Sequence, residues 1–162
     1  MRSTRLILLS ALLATACIRQ PGAASPAAAP AVPPARGALE IVVEPNPIVA
    51  APAGDGVWEF PFALSIRETG GSEVTIHRVG IDVLTFGGLK VYGTELSSAE
   101  IDRRGYPRRV PPHGRIRYAM SPKQNVPDER LFASVWGELW VEGTDEAGRS
   151  ITTKTRATIR KE

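Results

Sequence analysis

Trp58-Glu59-Phe60-Pro61-Phe62-Ala63-Leu64-Ser65-Ile66-Arg67 decides the fold class, because its large apolar residues recur at every second position. Successive side chains of a pleated chain point to opposite faces. Trp58, Phe60, Phe62, Leu64 and Ile66 therefore share one side, and Glu59, Pro61, Ala63, Ser65 and Arg67 the other. This predicts a strand with one apolar face. Pro61 has no N–H to give to a ladder, so it is expected at a bulge or against an unpaired edge.

The same period of two extends in both directions. Gly70-Gly71-Ser72 turns the chain into residues 74–84, where the apolar set changes phase from Val74 and Ile76 to Val79, Ile81 and Val83. A phase change inside one strand predicts a β-bulge near His77-Arg78. Further on, residues 132–142 and 150–160 flank Gly143-Thr144-Asp145-Glu146-Ala147-Gly148, whose Asp and Gly residues supply hairpin turn chemistry. In the last strand Ile151, Thr153, Thr155, Ala157 and Ile159 face one way. Thr152, Lys154, Arg156, Thr158 and Arg160 face the other, a polar, largely basic face suited to an edge that resists pairing with neighbours. Shorter candidates at 39–43, 89–92 and 115–120 bring the total to about seven strands. Ser97-Ser98-Ala99-Glu100 has the form of a capping box and predicts one or two helical turns before Gly105.

Seven short strands, turn punctuation and little helix predict an all-β, two-sheet antiparallel sandwich over residues 38–162. In pattern this stretch resembles the immunoglobulin-like and fibronectin III-like domains of bacterial surface lipoproteins. It departs from antibody-type domains in lacking a cysteine pair, and an oligonucleotide-binding type of barrel is the alternative. About 125 residues suffice for one hydrophobic core and are too few for two.

Ahead of this domain, Arg2 and Arg5, the apolar run 6–13 and the exit Ala14-Thr15-Ala16 form the three-part pattern of a secretory signal peptide over residues 1–16. The apolar run is about half the roughly 20 residues that a permanent span needs. Cys17, the single cysteine, follows directly. Leu13-Ala14-Thr15-Ala16-Cys17 resembles the lipobox of bacterial lipoproteins, with Ala14 standing where leucine is usual. That resemblance implies cleavage before Cys17, lipidation of its thiol and a membrane anchor. The expected location is the bacterial cell envelope, on the periplasmic face of the outer membrane, and a soluble periplasmic or secreted protein is the alternative. A lone thiol is unusual in an exported chain, which favours lipidation. Residues 17–37 carry Pro21, Pro26, Pro30, Pro33 and Pro34 among small alanines and read as a semi-rigid linker of up to about 60 Å.

Charge argues against a nucleic-acid partner. The chain has 20 Lys+Arg against 17 Asp+Glu, and removing Arg2 and Arg5 leaves 18 against 17. Enzymatic chemistry finds few residues to use. The only histidines are His77 and His113, with no G-x-S-x-G elbow and no cysteine after Cys17. Neither histidine has a second ligand at metal-binding spacing, and His113 and Met120 fall on opposite faces of an extended chain, so no metal or other cofactor is expected. Glu138 and Glu142 are about 13 Å apart on one strand, too far for paired-carboxylate hydrolysis.

Two clusters remain. Trp136 and Trp140 share a face with Glu138 between them and suit a platform for sugar rings; the competing reading turns them into the sandwich. Arg103, Arg104, Arg108, Arg109, Arg115 and Arg117 crowd one long connection and suit an anion or an acidic partner; the competing reading pairs them with Glu95, Glu100 and Asp102. The expectation is a lipid-anchored, non-catalytic module that meets another envelope protein, with carbohydrate or peptidoglycan binding as the alternative.

Overall fold

Leu64, Ile66, Ile76, Val141 and Tyr118 are fully enclosed between two β-sheets, and the remaining elements are arranged around them. The computed structural model describes residues 35–162. The expected signal peptide, Cys17 and the linker as far as residue 34 lie outside the described residues.

Eleven strands occur among the described residues: β1 (Leu39–Glu44), β2 (Ile48–Gly54), β3 (Val57–Glu59), β4 (Phe62–Glu68), β5 (Val74–Thr85), β6 (Lys90–Ser97), β7 (Arg109–Val110), β8 (Arg115–Met120), β9 (Lys123–Asn125), β10 (Val135–Asp145) and β11 (Ser150–Lys161). A helix α1 (Ser98–Arg103) and a 3₁₀ turn (Glu129–Ala133) complete the order. One sheet has the order β1-β4-β8; the other runs β6-β5-β10-β11-β2-β3-β9, with β7 beside the start of β5. Pairing is antiparallel except where β11 meets β2 in parallel over Ile159–Lys161. The protein is thus an all-β, two-sheet sandwich, with more strands than the expected seven.

β2, β7 and β9 account for three of the extra strands, and the fourth has a local cause at Pro61. The stretch read as one strand from Trp58 to Ile66 is two: β3 pairs with β2 and β9, whereas β4 pairs with β1 and β8. Pro61 marks the crossing from one sheet to the other, where no ladder needs its missing N–H. The outward side of β4 is also covered, since Ala63 and Ser65 are buried along with Phe62, Leu64 and Ile66. Fully enclosing one Leu or Ile is worth about 1.5–3 kcal/mol, so this strand contributes heavily to the core.

Other expectations hold. On β5, Arg78 opposes Glu142 and Ile76 opposes Gly143, which leaves His77 as the extra residue of a bulge. Ser97 caps α1 by accepting from the Glu100 N–H while Glu100 accepts from the Ser97 N–H. The β10–β11 hairpin turns over Asp145, whose carboxylate accepts from the backbone of Ala147 and Arg149. The last strand is not a simple edge, because β2 joins it over its final residues.

Register defines two ends. At the first, Leu39 opposes Glu68 and Val74 opposes Asp145; at the far end, Glu44 opposes Ala63 and Val135 opposes Thr85.

Candidate functional site

The first end holds the incoming chain. Glu68 is wholly buried and its carboxylate accepts from the backbone N–H groups of Ala38, Gly70, Gly71 and His113 at 2.6–3.1 Å. Burial alone would raise its pKa, but the four N–H donors outweigh that and hold it at about 2. Asp145 accepts from Gly37 N–H and from the Arg149 guanidinium, which also donates to the Ala35 carbonyl. Two buried carboxylates therefore fix residues 35–38 to the body.

The tryptophans lie on the outside of the large sheet. Val135, Gly137, Leu139 and Val141 of β10 point inward and are buried; Trp136, Glu138, Trp140 and Glu142 point outward and are half-buried. Trp140 opposes Gly80 of β5, and a Cβ built at Gly80 would stand 2.3 Å from the indole Cζ2, so only glycine lets the ring lie flat across the sheet. Guanidinium groups cover part of each ring: Arg156 lies 4.2 Å from the Trp136 centroid and Arg78 lies 5.6 Å from that of Trp140. Glu138 pairs with Lys154 and Glu142 with Arg78, each at 2.7 Å.

The six arginines spread over α1, β7, β8 and the connection between α1 and β7. Arg103 pairs with Glu100 and Arg108 with Asp102 around α1; Arg109 approaches Glu73 at 3.9 Å from β7; Arg117 pairs with Glu44 across the small sheet. Arg104 and Arg115 have no ion pair among the described residues. Glu95 pairs instead with Arg78. His113 sits at the first end beside Gly71 and Met120 ends β8 at the other, while His77 hydrogen-bonds Thr144 at 2.8 Å. Among the described residues no three His, Cys, Asp or Glu side chains come together as metal ligands.

The far end carries what the sequence reading missed. Phe86 and Leu89 straddle Gly87-Gly88 at the β5–β6 turn and are 74% and 69% exposed, with Val91 following at 46%. Val91 also lines an apolar pocket of about 300 Å³ between the sheets, together with Phe60, Val83, Tyr92 and Phe132. A second pocket of about 280 Å³ continues along β6 past Thr94 and Leu96, bounded across the gap by Met120 and Lys123 and at its rim by Arg104. The signal for the tip was a double glycine flanked by bare apolar residues.

No protein-family model and no curated protein matches this chain. Solved structures are similar to it: the X-ray structure of Northeast Structural Genomics Consortium target SoR45, at 11% identity and a TM-score of 0.51, covers 76% of this chain and 88% of its own. The putative ApaA protein from Bordetella pertussis, at 10% identity and a TM-score of 0.52, covers 78% of this chain and 98% of its own. At such identity the likeness is one of fold: this chain shares a β-rich architecture with both.

Proposed function

We propose that this chain is a lipid-anchored, non-catalytic binding module of the bacterial envelope, tied to a membrane through Cys17 and meeting a protein partner at the far end of its sandwich. The observation that carries this is the exposed apolar tip of Phe86, Leu89 and Val91, at the end of the body opposite Ala35, where the chain enters. Water-exposed apolar residues clustered this way mark contact surfaces more often than chance. A body held at one end presents the other to whatever it meets.

The immunoglobulin-like relationship belongs to the same proposal. It is supported by the orders β1-β4-β8 and β6-β5-β10-β11, which follow the A-B-E and C′-C-F-G strands of such domains, with β2 running parallel to the last strand.

The test is a photo-crosslinking amino acid at Phe86, compared with the same group at exposed Lys154, in intact cells. A discrete protein adduct specific to position 86 supports the reading; identical adduct patterns at both positions defeat it. A second reading, a sugar-binding face, is favoured by the outward direction of Trp136 and Trp140.

A further inference from the structure

The sandwich is open along one side. β6 is the end strand of the large sheet, and among the described residues no strand pairs with its outer edge. Tyr92, Thr94 and Leu96 of β6 oppose Val83, Ile81 and Val79 of β5, so all three are on the core-facing side. Yet Thr94 is exposed, and Ile81 and Val83 are only half-buried, whereas Val79 is enclosed. Core-facing residues remain uncovered because the sheets do not close over them.

The two pockets fill that gap in series. One opens beside Val91 and Tyr92, the other beside Thr94 and Leu96, and Phe62, Ile81 and Pro122 border both. Tyr92 and Leu96 are four residues apart on one strand face, about 13 Å. An added strand would project side chains inward at that same spacing.

We infer that this seam receives an extended peptide segment of a partner, added as a strand to the outer edge of β6 with alternate apolar side chains seated in the two pockets. This rests on the binding-module reading above and names its partner's chemistry. Backbone hydrogen bonding decides for a peptide over a hydrocarbon chain. The free edge of β6 offers a row of N–H and C=O groups that a peptide satisfies and an acyl chain does not. Charge adds direction. Arg104 and Lys123 stand at the second pocket and have no ion pair among the described residues, so an acidic residue of the segment belongs at that end.

The experiment uses the full mature chain with an octapeptide of alternating valine and threonine ending in glutamate, joined to Glu162 by a flexible Gly/Ser linker. Tethering supplies millimolar effective concentration, so weak intrinsic affinity does not hide the effect. The expected result is amide exchange in β6 slowed about tenfold, a change of about 1.4 kcal/mol in local opening. Thr94→Lys, which puts a charge in the seam, and N-methylation of the tethered octapeptide, introduced by joining a synthetic peptide to the linker, should each remove most of that protection.

Unchanged β6 exchange in the tethered protein overturns the inference. So does protection that survives N-methylation, or equal protection by free dodecanoate, which would make the seam a lipid site. Adducts at Phe86 in cells are read separately. If they persist while the seam fails, the binding module stands and only its peptide-adding mode is lost.

Discussion

The Glu68 carboxylate receives the backbone N–H of His113 at 2.9 Å, joining the turn before β8 to the turn before β5 inside the protein. Its other donors, Ala38, Gly70 and Gly71, come from the entry segment and that same turn. One buried anion thus gathers three separate pieces of chain, and His113 is held at φ 56° while it does so.

Glu68→Gln is expected to destabilise the domain by about 3 kcal/mol near neutral pH, because a pKa lowered from 4.5 to about 2 is a stability contribution of that order. The sign follows from linkage. A depressed carboxylate stabilises the folded state above its ordinary pKa, and that contribution is lost as pH falls from about 4.5 towards 2. Denaturant midpoints measured near neutrality and again near pH 2.5 should therefore converge for the two proteins. Equal midpoints at neutral pH would show the carboxylate to be energetically idle.

Gly80→Ala tests the outward tryptophan face. The new methyl would meet the Trp140 ring at 2.3 Å, so the indole must lift off the sheet and away from Arg78, at a cost of about 1–3 kcal/mol. In a Trp136→Phe background the remaining emitters are Trp140 and the buried Trp58, which the substitution leaves untouched, so the summed emission should move to longer wavelength. No spectral change would mean that the ring does not lie across Gly80 in solution.

If sugars bind, they must stack on rings that guanidinium groups partly cover. Arg156→Ala uncovers Trp136 and should strengthen retention on peptidoglycan, whereas Trp136→Ala with Trp140→Ala should weaken it; stacking losses of about 1–2 kcal/mol correspond to roughly 5–30-fold. Retention indifferent to all three substitutions removes the carbohydrate reading.

What could be read in advance followed from periodicity. β4, β5 and β11 show a period of two in their apolar residues, and the bulge at His77 was visible as its break. β7 and β9 were not legible because two or three residues hold no period. On β10 both phases are partly apolar, Val-Gly-Leu-Val against Trp-Glu-Trp-Glu, so burial of the tryptophans competed with burial of the aliphatics. The sequence reading left the direction of the tryptophan face open; the acids Glu138 and Glu142 on that phase carried a signal it did not weigh, since an unpaired charge is costly to enclose. Glu68 defied reading for the opposite reason: its donors are backbone groups far apart in sequence, which no side-chain pattern records.

The far-end tip separates binding from stability. Phe86 and Leu89 are mostly in water, so replacing both by serine should change unfolding free energy by less than about 0.5 kcal/mol per site. Full burial elsewhere, at Tyr118 or Leu139, predicts losses several times larger on truncation to alanine. The doubly substituted protein should therefore remain folded and, with Cys17 intact, still fractionate with membranes, while crosslinking from Val91 to a partner disappears. Cys17→Ser should do the reverse, releasing a folded protein from the membrane with its tip unchanged. A tip variant that binds its partner as well as the parent would place the contact elsewhere on the sandwich. A Cys17→Ser protein still held by the membrane would mean that the attachment is not through the thiol.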